Sequence, residues 1–375
     1  MKTYFFILFL IISLTQVRSQ DSNDPKESLK IGVVGMTHGH VHQVLRRGKS
    51  GGDIKIVGFV EPNRELAERL TKQYGYSTDL IYATLEEMIS AKQPEAVSAF
   101  NSTFEHLETV RYCAPKGIHI MVEKPLAVNW AHAKEMIELA KEHKVELLTN
   151  YETSWYGSNT KAYHLIHSAE KIGPIRRMVF HTGHRGPIEI GCDIEFLDWL
   201  TDPVLNGGGA LTDFGCYGAN LTTWLMKGEA PESVTCITQQ LKPEKYPKVD
   251  DDATIILKYP NAEVIIQASW NWPHNVKDME VYGTKGYVIC ENGTQMQLMK
   301  NEKEGPVNIE AEPLPSGLDD PFTLLKKIIH EHYELDAFDL TSVENNTIVI
   351  KILDAARQSA EQNRTFLWKE LYPTN

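Results

Sequence analysis

The sequence predicts an α/β protein of two units, a doubly wound parallel sheet followed by an α+β domain with a mostly antiparallel open sheet. Three observations lead there. Residues 29–150 alternate short apolar runs with amphipathic helical stretches, the rhythm of parallel strands joined by crossover helices. After residue 150 the apolar runs lengthen and alternate residue by residue, as in strands with one wet face. Finally, 375 residues at 42% hydrophobic and 23% charged exceed what a single core usually organises.

The elements follow in order. Lys2, an apolar run over residues 4–14 and the small-residue pattern Val17-x-Ser19 predict a secretory signal peptide over residues 1–19, and hence export to a periplasm or the medium. Residues 20–28 are polar and read as a linker. Strands are expected at 29–34, 54–61, 80–82, 96–100, 119–123 and 146–150, with helices at 40–47, 64–74, 85–91, 104–114 and 131–143. The substrate domain is assigned to 151–375. It has helices at 159–171 and 211–226, strands at 175–184, 233–240, 253–259, 263–272, 277–281 and 287–291, and a closing helix at 344–361. No second long apolar run follows the signal, so no membrane span is expected in the mature chain.

Composition narrows the function. Lys+Arg is 38 against Asp+Glu 50, a net charge of −12, which argues against a nucleic-acid partner. Five scattered cysteines without C-x-x-C spacing suggest neither a zinc ribbon nor a disulfide framework.

The unusual polar residues of the first unit fall at the carboxyl ends of its predicted strands, where open α/β sheets bind ligands. The first strand runs through Gly35-Met36-Thr37-His38-Gly39-His40 into a helix. A glycine turn there lets backbone N–H groups approach a pyrophosphate, although Thr37 and His40 stand where a G-x-G-x-x-G fingerprint has its second and third glycines. Glu61 ends the second strand, placed to accept the ribose hydroxyls of NAD and to repel the extra phosphate of NADP. Asn101 and Lys124 end the fourth and fifth. The H-x-H pair His38/His40 also suits a zinc site, but Asn101 and Lys124 occupy the later strand ends where further ligands belong, so no metal is expected.

At Glu123-Lys124-Pro125 the chain resembles the Gfo/Idh/MocA oxidoreductases, and the resemblance extends over nearly all of residues 30–365. Gly207-Gly208-Gly209-Ala210-Leu211-Thr212-Asp213-Phe214-Gly215-Cys216-Tyr217 is similar to the family's G-G-G-A-L-x-D-x-G-x-H. The resemblance implies a Rossmann domain holding NAD, or less suitably NADP, through Gly35, Thr37, His38, Gly39, His40, Glu61, Asn101, His106, Glu123 and Lys124. It implies catalysis by Lys124 and Asp213, with Tyr217 in the place of the frequent histidine, as in glucose–fructose oxidoreductase and dihydrodiol dehydrogenase. Tyr217 would act as a phenolate if nearby positive charge lowered its pKa. Tyr151, Trp155, His184, Arg185 and Trp199 are the expected substrate contacts, and an inward Arg185 would favour a uronic acid. The expected activity is hydride transfer between the nicotinamide and a sugar, uronic acid or polyol in carbohydrate catabolism, in a protein able to form a homo-oligomer through its second sheet. An exported glycosidase using tightly bound NAD for transient oxidation, and a non-catalytic dinucleotide- or sugar-binding protein, are the alternatives.

Overall fold

The computed structural model describes residues 28–50 and 52–373; the predicted signal peptide lies outside the described residues. Six parallel strands form the first sheet: β1 (Leu29–Val34), β2 (Ile54–Val60), β3 (Ile81–Tyr82), β4 (Ala96–Ala99), β5 (His119–Glu123) and β6 (Leu147–Asn150), in the order β3-β2-β1-β4-β5-β6. The strand order reverses beside β1, so the carboxyl ends of β1 and β4 diverge into a crevice. Helices α1 (Val41–Ser50) and α2 (Arg64–Gln73) cover one face, and α3 (Leu85–Lys92), α4 (His106–Cys113) and α5 (Trp130–His143) cover the other.

The second unit contains α6 (Gly157–Tyr163), β7 (Ile175–Gly183), α7 (Ile194–Leu200), α8 (Ala210–Asp213), α9 (Gly215–Leu225), β8 (Ser233–Gln239), β9 (Asp252–Lys258), β10 (Glu263–Ser269), β11 (Val276–Lys277), β12 (Met279–Gly283), β13 (Tyr287–Cys290), β14 (Gln295–Met299) and β15 (Pro306–Glu310). Helices α10 (Pro321–Glu331) and α11 (Val343–Gln362), strand β16 (Phe366–Leu367) and α12 (Trp368–Leu371) complete the chain. The second sheet runs β15-β14-β13-β12-β7-β10-β9-β8-β16, with β11 paired to β7. Only the β7–β10 pair is parallel. Helices α9 and α11 share a core with this sheet. On its other face Ile237 and Ile256 stay exposed.

Two features depart from the sequence reading. The helix expected over 211–226 is broken at Phe214, leaving α8 as a single turn that carries Asp213 at its end. A domain boundary at residue 150 also leaves out α10. Its Phe322, Leu324, Leu325 and Ile328 are buried with Leu29, Ile31 and Leu45 in the first sheet's core, and Arg47–Asp320 (3.0 Å) and His330–Glu95 (2.7 Å) tie its two ends down.

The glycine run before α8 has a steric cause. A Cβ on Gly209 would stand 1.8 Å from the Asp250 carbonyl oxygen. That close approach lets the Asp250 carboxylate accept from the Gly209 and Leu211 N–H groups at 2.9 and 2.7 Å, filling the open end of the helix that presents Asp213. Gly209→Ala should therefore lower the thermal midpoint by several degrees and cut turnover by displacing Asp213. Gly39→Ala, whose Cβ meets nothing within 4 Å, should leave the midpoint unchanged; calorimetry of the two variants checks both.

Candidate active site

The site forms where the carboxyl edge of the first sheet meets α8, α9 and the 184–200 segment. Lys124 follows β5 directly and is only 7% exposed. Its Nζ lies 2.5 Å from Oδ1 of Asp213 and 3.0 Å from the Asp213 carbonyl oxygen. Asp213, 5% exposed, accepts a second bond on Oδ2 from Trp270 Nε1 at 2.9 Å. Burial alone would push the lysine down and the aspartate up. Their mutual attraction, with the Trp270 hydrogen bond helping the carboxylate, overrides this, so the amine is raised and the acid lowered from their ordinary values. Both groups are therefore charged at neutral pH.

A cavity of about 430 Å³ opens on this pair, a volume suited to a small-molecule ligand. Lys124, Asp213, Tyr217, His38, His40, Glu152, His184 and Lys277 all contribute to its wall. Lys277 and Glu152 form a second ion pair at 2.8 Å, and Tyr156 donates to the same carboxylate at 2.6 Å. Tyr217 packs edge-on to Tyr151 and near-parallel to Phe214. Burial, then the charges of Glu152 and Asp213, pushes its phenol well above the ordinary value, the opposite direction to the phenolate expected from sequence.

A second cavity of about 260 Å³ is lined by Gly35, Thr37, Glu61, Pro62, Thr84, Asn101 and Thr109, at the crevice beside β1 where a dinucleotide's adenosine half would lie. Its donors and acceptors fit such a group. Asn101 Oδ1 is buried without a partner. Glu61 accepts from the Met36 and Asn63 N–H groups at 2.7 and 2.8 Å, which leaves further lone pairs for a ribose diol. The positive φ of +73° at Gly35, and a Cβ clash at 2.5 Å with the Asn101 backbone nitrogen, explain why glycine stands there. Thr37 belongs to both cavities and accepts from Trp199 Nε1 at 3.1 Å.

The sequence-predicted residues separate by position. Gly35, Thr37, Glu61 and Asn101 meet at the second cavity, and Thr37, His38, Gly39, His40, Lys124, Asp213, Tyr217 and His184 at the first. His106 does not reach either wall: it is buried beneath the Lys124-Pro125 turn, its Nδ1 donating to the Leu126 carbonyl at 3.1 Å. Arg185 is exposed and absent from both walls, which removes the reason to expect a uronic acid. Tyr151 and Trp155 stand behind the site as supports, and Trp199 lies over the glycine turn. Glu123, 2% exposed, bonds to His40 instead of facing a cavity. Lys277, Glu152, Asp250 and Trp270 were not anticipated. They come from later strands and turns whose local sequence carries no signal, whereas Asn150, at the end of β6, was available to the same strand-end rule that found Asn101.

His38, His40 and Glu123 place ligand-type atoms within 4.8 Å of one another. Their ring and carboxylate atoms are already engaged, since His38 Nδ1 accepts from the His40 backbone N–H at 3.1 Å and His40 Nδ1 meets Glu123 at 2.8 Å. The Lys124 charge beside them opposes a cation.

This arrangement agrees with the comparisons. Residues 29–151 match an oxidoreductase family with an NAD-binding Rossmann fold, and residues 160–289 match the C-terminal domain of the same GFO/IDH/MocA family. The chain belongs to this family. It is an NAD(P)-dependent dehydrogenase by that membership, with NAD as its cofactor. Trans-1,2-dihydrobenzene-1,2-diol dehydrogenase of Xenopus tropicalis is 24% identical over 314 residues, covering 82% of this chain and 90% of that protein. Myo-inositol 2-dehydrogenase of Thermotoga maritima is 23% identical, covering 74% and 79%. Among solved structures, an aldose-aldose oxidoreductase from Caulobacter crescentus complexed with glycerol superposes with a TM-score of 0.76 at 21% identity, covering 91% of this chain and 99% of that one. An inositol dehydrogenase homolog from Azotobacter vinelandii complexed with NAD+ gives 0.76 at 16%, covering 92% and 98%.

The buried histidines give the protein a defined pH response. Burial pushes His106 down to about 4, against an ordinary value of 6.5, and lowers His38 in the same direction. Between about pH 6.5 and 4 the unfolded chain takes up protons that the folded chain refuses, so stability falls as pH falls through that window. The urea midpoint should drop from pH 7 to pH 5, and drop less in His106→Asn.

Proposed function

We propose that the protein oxidises a secondary hydroxyl of a neutral sugar or polyol, or reduces the matching carbonyl. The carrying observation is the buried Lys124–Asp213 pair at the wall of the first cavity. The bound nicotinamide supplies the hydride acceptor or donor. Around it the chain's own residues bind and orient. The Lys124 amine, held by Asp213 through two of its hydrogens, has one left to donate to a substrate oxygen and stabilises negative charge that develops there. The Tyr217 hydroxyl, kept protonated by its surroundings, serves as a second donor.

Cavity chemistry supports a neutral substrate. Lys124 and Lys277 are each matched by a carboxylate, so no unpaired positive charge awaits an acid. Phe214 and Tyr217 offer apolar ring faces, while Glu152 and His184 add hydrogen-bonding groups, the mixture a polyhydroxylated ring needs. Polyol or sugar names among the relatives, including myo-inositol and aldose, support the same class. Export through the predicted signal, a role in carbohydrate catabolism and self-association through the open sheet face around Ile237 and Ile256 belong to this proposal. An exported enzyme of this kind would retain its NAD from one turnover to the next.

The test is to purify the protein, release its nucleotide by denaturation, and assay NAD reduction with neutral polyols and sugars. Bound NAD and polyol-dependent reduction are expected. Bound NAD with cleavage of aryl glycosides and no net reduction favours the glycosidase, and no nucleotide favours a binding protein. Lys124→Ala should abolish turnover in a protein that still folds and carries nucleotide; an unaltered rate removes Lys124 from the mechanism. Glu61→Gln should weaken NAD binding about tenfold or more, as loss of a charge-assisted hydrogen bond to a ribose implies, which calorimetric titration reads directly.

A further inference from the structure

Hydride chemistry at a hydroxyl needs a proton acceptor, and the groups already described are poorly placed to be one. Lys124 is protonated and engaged by Asp213. Both Asp213 oxygens are occupied, by Lys124 and Trp270. Glu152 is held by Lys277 and Tyr156, and Tyr217 is held in its protonated form.

Four imidazoles line the same cavity, and their hydrogen bonds fix what each presents. His38 Nδ1 accepts from the His40 N–H at 3.1 Å, so in the neutral ring the proton sits on Nε2. His184 Nδ1 accepts from the Gly186 N–H at 2.9 Å, with the same consequence. In both, the remaining ring nitrogen is therefore a donor, not an acceptor. His42 is turned aside, with Nδ1 at 2.9 Å from the Tyr74 hydroxyl and Nε2 at 4.0 Å from the exposed Asp193.

His40 is the reverse case. A chain of bonds that begins with a donor-only group sets its tautomer. Trp155 Nε1 donates to Asn150 Oδ1 at 3.0 Å, which orients the amide. Asn150 Nδ2 then donates to Glu123 Oε1 at 2.8 Å. Glu123, buried and acting as acceptor, takes the His40 Nδ1 hydrogen on Oε2 at 2.8 Å. The proton is thus on Nδ1, which leaves Nε2 as the acceptor nitrogen of a ring that lines the same cavity as Lys124 and Tyr217. A carboxylate behind an imidazole, fixing its tautomer and balancing the charge it gains, is the arrangement that makes histidine an effective base.

We infer that His40 is the catalytic base of the dehydrogenase, and that Glu123, with Asn150 and Trp155 behind it, is the positioning group that fixes the ring's tautomer with hydrogen on Nδ1. The inference rests on the dehydrogenase reading above. In the oxidative direction the substrate O–H bond breaks and its proton passes to His40 Nε2. The O–H electron pair becomes the new C=O bond, while the carbinol hydrogen leaves with its own pair for the oxidised nicotinamide. The imidazolium so formed is shared with Glu123. In the reductive direction His40 returns the proton. The histidine at the third position of the glycine turn, a departure from the dinucleotide fingerprint, thereby acquires a reason.

The experiment uses the nucleotide-loaded protein with inositol or another polyol that the wild type oxidises. His40→Gln should lower kcat by about 10² or more, the usual range for a lost acid–base group, with KM and nucleotide content close to wild type. Imidazole added to His40→Ala should restore part of the rate. Independently of activity, long-range proton–nitrogen NMR of the ring should show the Nδ1–H tautomer at His40 in the wild type and its loss in Glu123→Gln. Wild-type kcat in His40→Gln, or an Nε2–H tautomer in the wild-type protein, overturns the assignment. A nucleotide-bearing wild type that oxidises no polyol brings down the dehydrogenase reading and the base role together, whereas an active wild type with an undiminished His40→Gln variant brings down the base role alone.

Discussion

An ammonium and a carboxylate, almost fully removed from water and 2.5 Å apart, join the two units of this protein. Lys124 belongs to the edge of the parallel sheet and Asp213 to a one-turn helix of the other unit. Each would be unfavourable in its place without the other, because an isolated buried charge is costly and a matched, hydrogen-bonded one much less so. The surroundings serve this match. Trp270 takes the second carboxylate oxygen, Asp250 caps the turn that carries Asp213, and His106 pins the chain just after Lys124. The charge pair joins the units at the cleft, beside the continuous apolar core that spans both.

Much of the first unit was legible because its physics is local. Parallel strands buried on both faces are short and nearly all apolar, and β1 and β5 fall on the predicted residues without error. The strand-end rule then located Gly35, Glu61, Asn101 and Lys124 before any geometry was known. The second unit was less legible. Strand β15 at the sheet edge is almost wholly exposed, and β14 beside it is five residues long with polar Gln295 and Gln297 between its buried Met296 and Leu298, so neither offers a long apolar run to read. Helix α10 has a clear N-terminal signal, Asp320 before Pro321, but nothing local says that it crosses back to the first sheet.

Within the site, residue type was easier to read than partner. The sequence placed His40 and Glu123 among cofactor contacts, and the structure shows them bonded to one another. It counted Arg185 among the substrate contacts, whereas that neighbourhood is organised by Lys242, which reaches the Arg185 carbonyl, Glu189 and the Trp270 carbonyl, while Arg185 itself is exposed. Tautomers and charge matching depend on which atoms meet across 80 or more residues of sequence, and no spacing rule encodes that.

The return of α10 to the first sheet has a mechanical consequence. Chain termini that stay on separate lobes permit a clamshell, in which one lobe swings from the other. Here the C-terminal segment straddles both lobes, anchored by Phe322 and Leu325 on one side and continuing into α11 on the other, so the chain crosses between the lobes three times. The 186–200 segment covers the first cavity, resting on the glycine turn through Trp199, on α2 through a surface contact between Glu195 and Arg69, and on Lys242 and Tyr246 through Glu189. A chain threaded in this way holds the two lobes together more firmly than a single linker would.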